Sequence, residues 1–397
     1  MQASVRPSKF FVAGVLLSAV LAAMAGCRQP EARGIPLYIG TYTRGWACEV
    51  GNGGKGECGS SGIYRSTFDP ETGALSPARL VAETENPSYL AISRNGEFLY
   101  AVNEVGDYKG RETGGVSAFR IKASGELQLI NQLDSRGADP CHLSINAAGD
   151  MLFVANYRGG SVASYTISGD GSIAYADQVQ HTGSGPDKNQ RVPHAHFIAE
   201  SPKSGKVYAA DLGADRVFAY DVSSDARLSG ARTATGKTPA GAGPRHLAFS
   251  ADGRFVYANA ELSSHVAVFA MDDSGALEKI QYISTLPEGY KDENRTAEIQ
   301  LSRDGKFVYV TNRGENSIAV FSVSQDDGRL AFIETTPAGV DWPRDFKIDN
   351  TGRYLLVEGQ KSDNIAVLRI DAVTGRLTGT GNDLKINKPV NIAFMPR

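Results

Sequence analysis

Seven copies of a short apolar motif each contain one polar or aromatic residue at the same position. They are Tyr89, His142, His196, His246, Glu298, Asp345 and Asn391. Apolar strands rarely carry polar groups at every copy of a repeat. Arg245 and Arg344 each follow a proline beside this set. A neutral imidazole can act as a general base near neutral pH, and guanidinium groups can stabilise an oxyanion or bind an anion. These residue types therefore suit the attack of water on a carbonyl group.

A second set of residues lies at the end of the strand that follows each motif. It comprises Tyr42, Glu104, Tyr157, Leu212, Glu261, Arg313 and Gln360. Both sets could be structural, because polar residues in a water-filled channel can hydrogen-bond to water. A solvating role would accept any small polar residue, whereas these positions favour His, Arg and Glu, which indicates a functional site.

The remaining histidines give no clear metal site. His194 and His196 are two residues apart on a predicted strand and face the same side. A zinc pair is conceivable, but a third ligand at close spacing is missing, so we expect no metal. His181 and His265 fall in loop-like stretches and are expected at the surface.

The segment from 243 to 280 defines the element that positions these residues. It reads GPRHLAFSADGRFVYANAELSSHVAVFAMDDSGALEKI, with apolar and polar residues alternating between Asp-Gly and Ser-Gly turns. That pattern is typical of a four-stranded antiparallel meander. Its second and third strands each recur seven times, with aromatic residues 53, 55, 49 and 52 positions apart from Tyr100 to Tyr309. Such spacing is close to the period of about 40 to 50 residues of propeller blades. We expect an all-β fold, a seven-bladed β-propeller of four-stranded blades.

The two ends of the repeat predict how the ring closes. The chain enters at Leu37 with a second strand and no first strand, whereas the last first-strand motif, 389–395, has no second strand after it. The C-terminal strand should therefore complete the N-terminal blade.

The N-terminus resembles an export signal. Arg6 and Lys9 stand before the apolar stretch FFVAGVLLSAVLAAMAG, and Cys27 follows that stretch directly. The residues before Cys27 resemble a bacterial lipobox, with a plain signal peptide as the alternative. We expect a lipoprotein signal peptide at 1–26, a tether at 27–34 and the propeller at 35–397. Lipidation of Cys27 would hold the exported protein at the cell envelope. An Asp directly after the lipidated Cys would resemble an inner-membrane retention signal. Arg28 stands at that position, so we expect the lipid anchor in the outer membrane, with the protein facing the periplasm.

Composition and cysteine content add three expectations. A net charge of -3 gives no basic footprint for nucleic acid, and we expect a monomer that touches the membrane only through its lipid. Export permits disulfides, and Cys48 and Cys58 share a Gly-rich insertion, so we expect them to pair. Cys141 is then left unpaired in the core.

Five stretches of the chain carry a resemblance to a known family. They are VPHAH (192–196), DLGADRV (211–217), GPRHLAFSADG (243–253), AEIQLSRDGKFVYVTNRGENSIAVF (297–321) and PRDFKIDNTG (343–352). They resemble the lactonase family of seven-bladed propellers, which contains bacterial 6-phosphogluconolactonase and a fungal carboxymuconate cycloisomerase. The resemblance covers about residues 35–397.

The resemblance implies an active site at one mouth of the channel. Its catalytic residues would be His196, Arg245, Glu261 and Arg313. Further residues expected to bind substrate are Glu104, His142, His194, His246, Glu298 and Arg344. Glu261 is placed by strand alignment, because the usual Asn-Glu pair reads Asn259-Ala260-Glu261 here.

The expected function is hydrolysis of a sugar lactone of the 6-phosphogluconolactone type, with His196 as the base for water and no cofactor. Two alternatives remain open. An exported enzyme meets little phosphorylated sugar, so the protein could instead be a hydrolase or cycloisomerase of an unphosphorylated lactone or a muconate-type acid. A non-enzymatic propeller that binds a partner at the envelope is the other alternative.

Overall fold

The alternating segments form short antiparallel strands throughout the described part of the chain. The computed structural model describes residues 1–4, 34–48, 58–230 and 235–396, without the side chains of residues 46 and 47. Most of the predicted signal peptide and tether, including Cys27, lies outside the described residues. Gly34–Arg397 forms one unit that contains seven antiparallel sheets.

Each sheet is a blade with its first strand innermost. The innermost strands are Leu90–Ile92, Pro140–Ile145, Ala195–Glu200, Pro244–Phe249, Arg295–Leu301, Pro343–Ile348 and Pro389–Phe394. The second strands are Ile35–Thr41, Phe98–Asn103, Met151–Asn156, Val207–Asp211, Phe255–Ala260, Phe307–Arg313 and Tyr354–Gly359. The third strands are Gly62–Phe68, Gly115–Ile121, Ser161–Ile167, Arg216–Val222, His265–Met271, Ser317–Val323 and Asn364–Ile370.

The outermost strands are Arg79–Glu83, Leu127–Asp134, Ile173–Gln180, Leu277–Ser284, Leu330–Pro337 and Leu377–Lys385. In the remaining blade two short pieces, Leu228–Ser229 and Gly236–Lys237, both pair with the third strand. This blade departs from the expected four strands because its last segment is rich in Gly, Ala, Thr and Pro and lacks the alternating pattern. We number the blades 1 to 7 from the one that contains Ile35–Thr41.

The ring closes as the repeat predicts. Each innermost strand packs against the innermost strands of both neighbouring blades, in an unbroken cycle. In blade 1 the C-terminal strand pairs with the N-terminal one, with Leu37 opposite Phe394 and Tyr38 opposite Ala393. The seven-bladed propeller closed by the C-terminal strand is therefore confirmed.

The hydrophobic core lies between adjacent blades, and a repeated tyrosine contact ties the blades together. Each tyrosine is on the second strand of one blade and donates its hydroxyl to a glycine carbonyl in the outer hairpin of the next. The pairs are Tyr38 to Gly125, Tyr100 to Gly171, Tyr208 to Gly275, Tyr257 to Gly328 and Tyr309 to Gly375, at 2.8–3.2 Å. These glycines have φ of 70–87°, a conformation that side-chain-bearing residues rarely adopt. The aromatic residues that mark the repeat therefore also join its copies.

The cysteine predictions are confirmed. Cys48, in the 3-10 helix Gly45–Cys48, forms a disulfide with Cys58, with Cα atoms 4.7 Å apart. Cys141 is a buried free thiol.

The placement expected for His181 is wrong. Its ring is buried between Asp211, 2.7 Å from Nδ1, and the Tyr220 hydroxyl, 2.6 Å from Nε2. Two polar partners from the neighbouring blade make this loop position a core position. Within the residues that the structure describes, no helix has the length and apolar character needed to cross a bilayer.

Candidate active site

A cavity of about 430 Å³ opens at the end of the channel where the innermost strands begin. It is lined by Glu104, Asp139, Tyr157, His196, Glu261, Glu293, Arg295, Arg313, Trp342 and Arg344. Five of the ten predicted site residues thus lie in one wall: Glu104, His196, Glu261, Arg313 and Arg344.

Local backbone irregularity in the innermost strands directs their motif side chains, such as His196, into the channel. The pairing of the innermost with the second strand shifts register near the motif position in six of the seven blades, as between Ala195 and Phe197 in blade 4. A β-bulge redirects the side chains on either side of it. The apolar residue after each bulge, such as Phe197, can therefore stay in the core while His196 faces the channel.

Glu261 is the centre of the charged wall. Its Oε2 lies 2.9 Å from Nη2 of Arg313 and 3.1 Å from Nε of Arg245, and its Oε1 lies 3.6 Å from Nη1 of Arg295. Burial raises the pKa of the Glu261 carboxyl, but the three arginines outweigh that effect and the net shift is downward. Glu261 is therefore a carboxylate that holds these arginines.

Backbone carbonyls also hold the buried guanidiniums of Arg245 and Arg313. Arg313 donates from Nη2 to the carbonyl of Thr296 at 2.8 Å, and Arg245 donates to the carbonyl of Ala297. Both acceptors belong to the innermost strand of blade 6, which follows the blade that contains Arg245. Arg245 does not line the cavity itself but supports its wall through Glu261.

A second carboxylate and arginine line the same cavity. Arg344 lies 3.8 Å from Oε1 of Glu104, and its guanidinium is 5.2 Å from the ring centre of Tyr42. The Tyr42 hydroxyl donates to Oε2 of Glu104 at 2.8 Å. Burial raises the pKa of Glu104, opposed by Arg344.

His196 is the imidazole that faces the cavity. It is 4% exposed, and its Nδ1 has no hydrogen-bond partner. Burial, with the positive charge of Arg245 second, lowers the His196 pKa well below its usual value. The ring is therefore neutral at pH 7 and offers a lone pair.

Aromatic rings complete the mouth. Tyr157 meets His196 edge to face at 5.4 Å and stacks on His194 at 4.6 Å. His194 donates from Nδ1 to the carbonyl of Tyr157 at 2.9 Å, so it orders this tyrosine from behind. At the rim, the Trp342 ring is 3.5 Å from Nζ of Lys361.

Three predicted residues lie elsewhere along the channel. His246 and Glu298 are deeper than the cavity lining and contact each other, with Nδ1 2.5 Å from Oε2. His142 lines a separate cavity of about 530 Å³ at the other ends of the innermost strands, together with Tyr89 and Lys347. The structure therefore divides the predicted set between the first cavity, the channel interior and the opposite mouth.

Metal binding finds no support in the described ranges. They contain no group of three or more His, Cys, Asp or Glu side chains placed to hold an ion.

The family is decided by a match that spans nearly the whole propeller. The family model described as "Lactonase, 7-bladed beta-propeller" matches residues 36–394. This chain belongs to that lactonase family.

Individual relatives of this lactonase-family propeller carry related names. It is 36% identical to the 6-phosphogluconolactonase of Bacillus subtilis (strain 168) over 363 residues, which are 90% of this chain and 97% of the relative. The structure of Pseudomonas aeruginosa periplasmic gluconolactonase is 35% identical, with a TM-score of 0.83 over 91% of this chain and 99% of that one. A putative 6-phosphogluconolactonase from Bacteroides uniformis is 36% identical, with a TM-score of 0.81 over 91% and 99% of the two chains.

Five lining residues of this lactonase-family site lie outside the ten predicted site residues: Tyr157, which belongs to the second aligned set, and Asp139, Glu293, Arg295 and Trp342. Three of them precede a first-strand motif directly, before Pro140, Thr296 and Pro343. The alignment that found the channel residues could also have found these three, because the residue directly before each motif lies at the mouth of the channel.

Proposed function

We propose that this protein is a lactone hydrolase that opens a sugar lactone by attack of water, with His196 as the general base. The observation that carries the proposal is a neutral, buried imidazole at the wall of a cavity that is also lined by the guanidiniums of Arg313 and Arg344. Membership of the lactonase family supports the same reaction class.

The residues suit each step of this reaction. His196 takes a proton from water as the oxygen attacks the lactone carbonyl, and the carbonyl electrons move to its oxygen. Arg313 and Arg344 face the cavity and stabilise the negative charge that develops there. The ring C–O bond then breaks, and the leaving oxygen receives the proton from His196. Because Glu261 and backbone carbonyls hold Arg313 in place, little reorganisation is needed during the reaction.

The charges of the cavity favour an unphosphorylated aldonolactone. Four carboxyl groups line it, those of Glu104, Asp139, Glu261 and Glu293, against three arginines. A phosphate monoester would bring a charge of about -1.5 to -2 into a site without excess positive charge. The Pseudomonas relative is named a gluconolactonase, which agrees with this choice.

A phosphorylated lactone is the second candidate. The side chain of Arg295 is 39% exposed at the rim and could reach a phosphate outside the cavity. The relative from Bacillus subtilis is named a 6-phosphogluconolactonase.

A pH-stat assay on glucono-1,5-lactone and its 6-phosphate tests the proposal. We expect the full chain to hydrolyse the plain lactone with the higher kcat/KM. His196→Ala should lower kcat at least about 100-fold, since positioned general bases contribute about 10² to 10⁴. His265→Ala is the matched control, because His265 stacks on Tyr282 away from the cavity. Equal rates for His196→Ala and the native protein would remove His196 from the mechanism. No hydrolysis of either lactone would favour the non-enzymatic binding role.

We also propose that the protein is exported and anchored in the envelope through a lipid on Cys27. The apolar N-terminal stretch before Cys27 supports this, and one relative is named periplasmic. Labelling cells with radioactive palmitate should mark the native protein and leave Cys27→Ser unmarked. Equal labelling of the two would contradict the anchor.

A further inference from the structure

Two buried imidazole nitrogens have no hydrogen-bond partner, and they belong to neighbouring rings. They are Nδ1 of His196 and Nε2 of His246. The ring centres are 5.2 Å apart with planes at 62°, and the two residues are 4% and 3% exposed. Leaving a buried polar atom without a hydrogen bond destabilises the fold, so a pair of them behind a candidate base requires an explanation.

The other nitrogen of His246 is occupied. Its Nδ1 lies 2.5 Å from Oε2 of Glu298. When Glu298 is ionised, Nδ1 of His246 must carry the proton and donate it, which leaves a lone pair on Nε2. A donor is then the matching partner for Nε2, and Nδ1–H of His196 can supply it after a small rotation of either ring. Catalytic hydrogen bonds are often loose before substrate binds.

We propose that Glu298 and His246 are positioning residues that pass charge to His196 through a chain of hydrogen bonds, and so make a buried neutral imidazole an effective base. This inference rests on the proposed lactone hydrolysis. It explains how His196 can accept a proton although the buried guanidiniums of Arg245 and Arg344 disfavour a cation there.

The proton count along the chain balances. A proton moves from water to Nε2 of His196 while the oxygen of water bonds to the lactone carbon. The Nδ1 proton of His196 moves to Nε2 of His246, and the Nδ1 proton of His246 moves to Glu298. The three groups are then all neutral. When the ring C–O bond breaks, each proton steps back, and Nε2 of His196 delivers one to the leaving oxygen.

The groups around Glu298 set the pH at which its carboxyl group ionises. Several charged and titratable groups act on Glu298 and His246. On the side of the opposite mouth they are Tyr89, His142, Asp345, Lys347 and Glu358, and on the side of the first cavity they are His196, Arg245, Glu261, Arg313 and Arg344. Burial raises the pKa of Glu298 to about 7, with Lys347 and then Arg245 opposing. The chain therefore loses its base as the pH falls through about 7.

His142 is the competing partner for Nε2 of His246. Its ring centre is also 5.2 Å from that of His246. Its Nδ1 accepts a hydrogen bond from the backbone of Ile198 at 3.3 Å, so its proton is on Nε2. If His142 bonded to His246, the chain would lead to the opposite mouth and not to His196.

Kinetics of Glu298→Gln give the first test. The Gln side chain can still accept the hydrogen bond of His246 but cannot take a proton or a charge. We expect kcat for the plain lactone to fall at least about tenfold with KM changed less than twofold, and the decline in rate below pH 7 to disappear. Glu126→Gln, which makes the same change in an exposed carboxylate paired with Arg79, should keep the native kcat and pH profile. A Glu298→Gln variant with native kcat and pH profile would overturn the inference.

Histidine tautomers give a second test that needs no activity. In ¹⁵N spectra at pH 8.5, assigned with His142→Asn, His196→Asn and His246→Asn, we expect both His196 and His246 to carry their protons on Nδ1. Both should shift towards Nε2–H below pH 7, and Glu298→Gln should remove that shift. A native His196 with its proton on Nε2 at pH 8.5 would contradict the chain. If no lactone is hydrolysed, the proposed function fails while this measurement still decides the hydrogen-bond chain.

Discussion

Replacing Glu261 by Gln tests whether one carboxylate holds the arginines of the cavity. Glu261 is 6% exposed and lies within 3.6 Å of Arg245, Arg295 and Arg313. The substitution keeps the size of the side chain and removes its charge. Arg245 and Arg313, 3% and 4% exposed, would then share the wall without a counter-ion.

The expected cost follows from burial. Removing one partner of a buried ion pair destabilises a protein by about 3–5 kcal/mol. The unfolding entropy of about 2.1 cal/mol/K per residue gives about 0.8 kcal/mol/K for a unit the size of Gly34–Arg397. We therefore expect the melting temperature of Glu261→Gln to fall by about 4–6 °C.

Thermal unfolding followed by circular dichroism at pH 7 measures this cost. Glu126→Gln is the matched control, because Glu126 pairs with Arg79 with both side chains about half exposed. Exposed pairs contribute about 0–1 kcal/mol, so this control should melt within about 1 °C of the native protein. Equal shifts for the two variants would refute the view of Glu261 as the centre of the wall.

The pH dependence provides a second readout of the same variant. The pKa of Glu261 is lowered by folding, so its contribution is present above the unfolded value of about 4.3 and is lost as the pH falls through the lower folded value. The gap between the native protein and Glu261→Gln should therefore be full at pH 6 and shrink under more acidic conditions. A gap that widens on acidification would contradict the assigned charge.

Three further predictions concern the interior, the insertion and the rim. Glu358 is fully buried with both carboxylate oxygens unpartnered, and burial, then Asp345, raises its pKa. Because a raised carboxyl pKa costs stability as the pH rises, Glu358→Gln should be more stable than the native protein in urea titrations at pH 8 and should lose the advantage near pH 4. The paired change Cys48→Ser with Cys58→Ser should lower the unfolding free energy by about 2–3 kcal/mol, the entropy of a loop with sequence separation 10, and reduction of the native protein should do the same. Trp342→Ala should raise KM about fivefold with kcat within twofold, since a ring at the rim contributes about 1 kcal/mol of contact; a lowered kcat with unchanged KM would exclude that role.

The fold was predictable because its information is local and repeated. Alternation of apolar and polar residues reports one buried face, and glycine turns report the length of each strand. Seven copies then average out the ambiguity of any single one. The weak point was blade 4, where the last segment lacks alternation and forms two short strands, Leu228–Ser229 and Gly236–Lys237.

The candidate site was only partly predictable. Alignment of the copies placed His196 in one set and Glu261 and Arg313 in a second set, and the structure brings all three to the lining of one cavity. The same alignment could not tell which mouth His142 faces, because side-chain direction at a bulge depends on the register of the neighbouring strand.

Composition, periodicity and the paired ends of the repeat determined by themselves the number of blades, the closing strand and the residue types at the channel. Only the tertiary structure decided their partners: Glu261 with three arginines, and Glu298 with His246. Apart from Arg245, which shares blade 5 with Glu261, these partners come from neighbouring blades and are separated by up to 52 residues in the chain. Contacts of that kind depend on how far each innermost strand is rotated and shifted against the next, which the packing between blades sets and no single repeat encodes.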